Sequence, residues 1–371
     1  MTALLLFILF SIVSLWLFAR LVLAGQDLSI YDRQVEPLFA DQPASPPLSI
    51  IERALTKTEP GFNKLSKQLQ LEVMRKKMDD SGIRVSTNAT ITTVKSDKIA
   101  GEWVIAPGAD SSKRMLYIHG GAFIMGSPQS HRIVTSKLSE ISGAAVFALD
   151  YRLRPEHKRL DSLEDCQNAY RWLIDNGPEN GPENGPEDSP EETTKAERLY
   201  IAGDSAGANL CLVMLAWIRD NSLPTPTAAI VLSPVTDSTL SSPSIRNNLD
   251  TDAMLKGLLQ PIAKIPKTLL LLGSWLDTKI KPCDPRISPI HGDLAGLPPL
   301  LIQASDSECL EDDARRYTNK ARAAGSPVTL QLWHGMMHVW HFFEPELDEA
   351  KAAFKQIELF LAEVDKGRMK D

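Results

Sequence analysis

The sequence predicts an α/β protein: a mostly parallel central sheet with helices on both faces, a cap over one edge, and an apolar segment ahead of it. Three observations carry that reading. From about residue 114 to residue 365, short strand-like apolar runs alternate with amphipathic stretches of helical length, the pattern of βαβ units wound on a parallel sheet. The pentapeptide Gly203-Asp204-Ser205-Ala206-Gly207 separates the apolar run 198–202 from the apolar run 209–218, which puts a serine at the apex of a strand, sharp turn and helix. Two stretches, 48–82 and about 236–285, break the alternation and are the expected cap segments.

Of residues 3–24 only Arg20 is charged. A helix of that length extends ~33 Å, against a hydrocarbon thickness of ~30 Å, and an arginine near its end can snorkel to the interface. A cleaved signal peptide, with Val22-Leu23-Ala24 as the cleavage site, is the rival reading. The long apolar stretch and the lack of a basic region before it favour a retained membrane anchor over residues 1–25. The flank beyond is poor in lysine and arginine, with Arg33 the main exception. This leans towards a folded domain on the luminal or exported side, with secretion after cleavage as the alternative. Asn88-Ala89-Thr90 would then be a glycosylation acceptor. A net charge of −7 and a pI of about 5.6 argue against a nucleic-acid partner.

Residues 26–47, rich in proline, read as a linker, and 48–367 as the folded domain. Within 48–80 Leu65, Leu69, Val73 and Met74 recur at helical spacing, with lysine and arginine on the other face. Residues 89–94 and 101–106 alternate as a hairpin would. The runs 114–118, 144–149, 198–202, 228–232, 300–304 and 328–333 read as strands, and 161–174, 310–324 and the stretch from Glu346 onward as helices. Between Gly177 and Asp188 a Gly-Pro-Glu-Asn motif repeats; proline and glycine in each repeat forbid helix or ladder, so this is a solvated loop without a catalytic role. Cys166, Cys211, Cys283 and Cys309 are widely spaced and read as reduced, mostly buried thiols, although their even number permits a disulfide. No histidine or carboxylate spacing indicates a metal site, and no cofactor is expected.

Four groups follow the ends of expected strands: His119-Gly120-Gly121, then Ser205, then Asp306 or Glu308, then His338. Parallel strands share one carboxyl edge, so residues far apart in the chain converge there. The chemistry of acyl transfer asks for these residue types. A serine hydroxyl needs a base to take its proton, and imidazole does this near neutral pH. A carboxylate fixes the imidazole tautomer and stabilises the imidazolium. An oxyanion needs preorganised donors, expected from the backbone N–H groups of Gly120, Gly121 and Ala206. His119 is expected to brace the glycine loop and Asp204 to fix the elbow. His334 is the weaker candidate for the base, and His131, His157, His291 and His341 read as loop or surface residues.

Four segments together resemble the hormone-sensitive-lipase family of α/β-hydrolases, the bacterial type IV esterases and arylacetamide deacetylases. They are His119-Gly120-Gly121-Ala122-Phe123, Tyr151-Arg152-Leu153-Arg154-Pro155-Glu156, Gly203-Asp204-Ser205-Ala206-Gly207 and Gly335-Met336-Met337-His338. The resemblance covers about residues 85–365 and implies an α/β-hydrolase core with a cap and hydrolysis of carboxylic esters with short to medium acyl groups. Arg154 departs from it, standing where the family usually has alanine. In the family the acid typically lies two positions before a leucine that opens the next helix. Glu308-Cys309-Leu310 matches that register, so Glu308 is preferred as the acid and Asp306 is the alternative. Two further readings remain: an amide or acetyl deacetylase on the same machinery, and a ligand-binding protein of this fold without catalysis. Occupation of all three triad positions argues against the latter.

Overall fold

The computed structural model describes residues 2–33, 61–83, 87–96, 98–178 and 195–367. Eight strands form one sheet: β1 Thr90–Lys95, β2 Ala100–Ile105, β3 Asp110–Ile118, β4 Ala144–Leu149, β5 Arg198–Asp204, β6 Ala228–Leu232, β7 Leu300–Ser305 and β8 Val328–Trp333. Their order is β1-β2-β4-β3-β5-β6-β7-β8. The β1–β2 and β2–β4 pairs are antiparallel, and every pair from β4 to β8 is parallel. All residues of β4, β6 and β7 are buried. That is why these strands read as unbroken apolar runs: both faces of a parallel sheet are covered.

The helices are α1 Thr2–Phe18, α2 Lys67–Ile83, α3 Arg132–Ser142, α4 Arg159–Asp175, α5 Ser205–Asp220, α6 Ser244–Asn247, α7 Lys256–Ala263, α8 Lys267–Thr278, α9 Glu311–Ala323 and α10 Asp348–Asp365. The period of two in β3 sorts its side chains between two cores. Leu116 and Ile118 join Cys166 and Tyr170 of α4, Leu210 and Leu212 of α5 and Tyr317 of α9. Met115 and Tyr117 join Val134 and Leu138 of α3 and Phe354 and Ile357 of α10. Helices therefore lie on both faces, as the α/β-hydrolase fold requires. The four cysteines are free thiols.

Several expectations change. The helix expected over 48–80 is α2, starting at Lys67, and residues 48–60 lie outside the described residues. Leu69 and Met74 of α2 stay exposed. The helix is held instead by polar contacts: Arg75 Nε and Nη2 donate to the Ile124 and Arg154 carbonyls at 2.7 and 2.8 Å. Residues 26–33 are not a loose linker. Leu28 is buried in the main core, and Asn319 Nδ2 donates to the Tyr31 carbonyl at 2.8 Å. Arg316 Nη2 meets Asp32 Oδ2 at 2.9 Å. Residues 34–47 and all but the first two positions of the 177–188 insert lie outside the described residues. The 236–285 stretch carries α6, α7 and α8, inserted between β6 and β7.

Candidate active site

Ser205 begins α5 directly after β5, with φ +51°. A non-glycine residue pays for that conformation, and the tight turn leaves no room beside it. A Cβ on Gly207 would sit 2.0 Å from the Ile118 carbonyl oxygen, and one on Gly203 2.5 Å from the same atom. The two glycines thus let β3 and the elbow touch. Among the described residues eight non-glycine positions have positive φ, and Ala122, Phe123, Ser205, Ser233 and Val339 are five of them. Besides Ser205 itself, the other four lie in loops that follow β3, β6 and β8, so backbone strain concentrates at this edge of the sheet.

His338 stands between Ser205 and Glu308. Its Nε2 is 2.9 Å from Ser205 Oγ, and its Nδ1 is 2.8 Å from Glu308 Oε2. A carboxylate only accepts, so Nδ1 carries the proton and Nε2 is left to accept from the serine hydroxyl. Glu308 is fully buried and its other oxygen is saturated: Oε1 accepts from Ser233 Oγ at 2.8 Å and from the Ser305 N–H at 2.9 Å. Burial alone would depress the His338 pKa, but the hydrogen bond and charge of Glu308 outweigh it and hold the imidazole above its ordinary value.

Asp306, the alternative acid, faces elsewhere. Its Oδ2 is 2.6 Å from His334 Nδ1, and its Oδ1 accepts the Gly335 N–H at 2.7 Å. It ties the end of β7 to the turn after β8. His334 belongs to that tie and not to the serine.

The glycine loop departs from expectation at one position. The Gly120 N–H donates to Asp204 Oδ1 at 2.9 Å, so it is not free to meet an oxyanion. Among the described residues the N–H groups of Gly121 and Ala122 have no acceptor, and that of Ala206 lies in the open first turn of α5. Asp204 does more than fix the elbow. The same Oδ1 accepts from Tyr117 Oη at 2.6 Å and lies 3.4 Å from His131 Nε2. His119 braces the loop: its Nδ1 is 2.8 Å from the Gly120 carbonyl, its ring stacks on Tyr151 at 4.2 Å, and Tyr151 Oη donates to its carbonyl at 2.8 Å. Burial pushes the His119 pKa down to about 3, so the ring is neutral. His131 and His341, read as loop or surface residues, lie in the short 3-10 turns Gln129–His131 and Trp340–Phe343 and are fully buried. His341 Nε2 pairs with Gln303 Oε1 at 2.8 Å. The segment with the unusual Arg154 is structural: Arg152 pairs with Asp165 and Arg154 with Asp277 of α8.

Sequence reasoning missed Ser233, Ser305, Tyr117 and His131. The available signal was position: Ser233 directly follows β6 and Ser305 ends β7, at the same carboxyl edge as the serine and the acid. No group of three or more histidine, cysteine, aspartate or glutamate side chains that could hold a metal occurs among the described residues.

Residues 115–342 match the family model of the alpha/beta hydrolase fold. An acetyl-hydrolase of Streptomyces hygroscopicus is 38% identical over 260 residues, 70% of this chain and 78% of that protein. An esterase of Acinetobacter venetianus is 32% identical over 275 residues, 74% of this chain and 82% of that protein. Among solved structures, an esterase of the bacterial hormone-sensitive-lipase family superposes with a TM-score of 0.67 at 30% identity, over 85% of this chain and 95% of the other. The chain belongs to the α/β-hydrolases. Within them it is an ester-hydrolysing enzyme of the hormone-sensitive-lipase family.

Proposed function

We propose that the protein is a serine carboxylic-ester hydrolase that works through Ser205, His338 and Glu308 and an acyl-enzyme. The observation that carries this is the unbroken relay from Ser205 Oγ to His338 to Glu308, at 2.9 and 2.8 Å. Ser205 Oγ attacks the ester carbonyl carbon while its proton passes to His338 Nε2. The carbonyl π electrons move to oxygen, and the resulting oxyanion takes hydrogen bonds from the Gly121, Ala122 and Ala206 N–H groups. Collapse expels the alcohol, which leaves with the proton from His338. Water, deprotonated by the same nitrogen, then attacks the acyl carbon; the second tetrahedral intermediate collapses, His338 returns that proton to Ser205 Oγ, and the acid is released. Gly120 is left out of the donor set because Asp204 holds its N–H.

Short to medium acyl groups are the proposed substrates. The name of the 38%-identical acetyl-hydrolase supports the short end of that range. The N-terminal segment is proposed to be a retained anchor with the catalytic domain on the luminal or exported side. Support for retention comes from residues ahead of the candidate cleavage site: Ala19 and Leu23 are buried against Leu271, and Phe18 packs on Trp275. The decisive experiment is fluorophosphonate labelling with peptide mapping. Ser205 takes the label, and Ser205→Ala loses both labelling and esterase activity, by up to ~10⁶ in kcat. Full activity in that variant would end this mechanism.

A further inference from the structure

The end of the apolar helix does not stand free of the domain. Ala19 and Leu23 are 1% and 0% exposed and pack with Leu271 of α8. Phe18 meets Trp275 of α8 edge-on, with ring centroids 5.2 Å apart. This contact constrains depth. The apolar window Leu4–Leu23 holds 20 residues, ~30 Å of helix, which matches the ~30 Å hydrocarbon core. Residues 19–23, a π-helical turn that continues α1 and is seated on α8, supply up to ~7 Å of that length. With the cap clear of the bilayer, only ~22 Å of helix would remain to cross it.

The surface of α8 fits a position inside the interface. Its side opposite Leu271 carries Leu269 and Leu276, 58% and 55% exposed. Ile265, just ahead of α8, and Leu258 of α7 are 40% and 48% exposed. A helix face turned to water is normally charged. The lysines flank these residues instead. Residues 255–282 contain Lys256, Lys264, Lys267, Lys279 and Lys281 against a single acidic residue, Asp277. Lys256 pairs with Asp250 just ahead of the stretch and Asp277 with Arg154, which leaves Lys264, Lys267, Lys279 and Lys281, in a chain of net charge −7. Leucines bordered by lysines are the composition of a helix lying ~5–10 Å deep in the headgroup boundary, and that depth agrees with the ~7 Å taken from the span.

We propose that the α7–α8 face of the cap is a membrane-docking surface, seated in the headgroup region of an anionic bilayer beside the N-terminal span. This rests on the retained-anchor reading above. The insertion leaves the sheet at the carboxyl end of β6, the edge that bears Ser205. The docked cap therefore brings that edge next to apolar esters dissolved in the bilayer.

The test uses the full chain in nanodiscs of phosphatidylcholine with phosphatidylglycerol, in a Cys283→Ser background. An environment-sensitive fluorophore is placed at Leu276→Cys, or at Leu359→Cys on the exposed side of α10 as the control. Brominated lipid should quench the first several-fold more than the second, and aqueous iodide should do the reverse. Equal iodide access at the two sites overturns the proposal. A second readout is Leu269→Glu/Leu276→Glu. Hydrolysis of soluble p-nitrophenyl butyrate should stay within about twofold, while KM for a bilayer-dissolved ester rises ~10-fold or more. An unchanged KM for the bilayer ester, or equal loss on both substrates, also overturns it. Intact mass of the membrane-fraction protein tests anchor retention separately, so loss of residues 1–24 and failure of docking are told apart.

Discussion

Glu308→Gln is the sharpest perturbation of the relay, because the structure dictates how the amide must sit. Glu308 Oε1 already accepts from the Ser305 N–H and from Ser233 Oγ, and the Ser305 N–H is fixed by the backbone. In the glutamine the carbonyl oxygen stays at that position, since an NH₂ there would face a donor. The NH₂ group then occupies the Oε2 position and donates to His338 Nδ1. Nδ1 becomes the acceptor and the imidazole proton moves to Nε2, where it faces Ser205 Oγ. A protonated Nε2 cannot take the serine proton.

A tautomer fault of this kind costs ~10⁴ in kcat, about 5 kcal/mol of transition-state stabilisation at about 1.4 kcal/mol per decade. The shape is nearly conserved and the buried partners stay satisfied, so folding should be untouched. A second signature is independent of size. The hydrogen bond and charge of Glu308 raise the His338 pKa against the depressing effect of burial. Without them burial prevails, and the residual activity should persist to lower pH than in the wild type. The assay is steady-state hydrolysis of p-nitrophenyl butyrate from pH 5 to 9, with circular dichroism as the folding control. A Glu308→Gln enzyme near wild type, with Asp306→Asn the more damaging change, would refute this reasoning and move the acid to Asp306.

Other expectations follow from the same geometry. The wild-type rate should fall as pH drops through the His338 pKa, because only the neutral ring accepts the serine proton; the raised pKa places that limb above the ordinary value of about 6.5, and a limb well below 6 in a kcat/KM profile would contradict it. His338→Ala should cost several decades in kcat, whereas His334→Ala, which loosens only the tie to Asp306, should cost less than ~10-fold; the reverse ranking in the same assay would misplace the base. Asp204→Ala strands the buried Tyr117 hydroxyl and the Gly120 N–H, a cost of about 1–3 kcal/mol for each group, so both Tm and kcat should fall; unchanged kcat at normal Tm would show that the loop does not depend on Asp204. On a p-nitrophenyl ester series, acetate to hexanoate should be turned over faster than laurate and longer, and a preference for emulsified long-chain triglyceride would reject the acyl range.

What the sequence made legible is what local chemistry determines. The strands read as apolar runs because both faces of the parallel sheet are covered. The elbow read as a turn from its paired glycines, and the structure gives the reason for them: a Cβ on Gly203 or Gly207 would lie 2.5 or 2.0 Å from the Ile118 carbonyl oxygen. The choice between Glu308 and Asp306 could be posed from the family register, but their separation is geometric. Asp306 lies at the strand end and turns to His334, whereas Glu308, two residues on, points back to His338. The failures are tertiary. Nothing in Gly120 says that its N–H will be claimed by Asp204, which follows it by 84 residues. A histidine in a turn carries no local sign of whether it is exposed or buried, as His131 and His341 are. Residues 26–33 looked like linker because their anchors find partners far along the chain: Leu28 and Tyr31 pack on the main core, and Asp32 pairs with Arg316, 284 residues on.

Arg154 gives the departure from the family pattern a physical reading. Its backbone N–H donates to the Phe123 carbonyl at 2.9 Å, and its carbonyl accepts from Arg75 of α2. Any residue type makes both contacts, so they do not explain an arginine. The guanidinium explains it: it meets Asp277, the one acidic residue of the 255–282 stretch, on the helix that also receives Phe18 and Leu23. Both partners of that pair are partly exposed, so its contribution to stability is within ~0–1 kcal/mol. Its value is therefore in orientation. It ties the segment bonded to the Ala122-Phe123 loop to the helix that carries the N-terminal span. Contiguity of this kind does not by itself amount to energetic coupling. It does account for an arginine at a position where the chemistry of the site requires none.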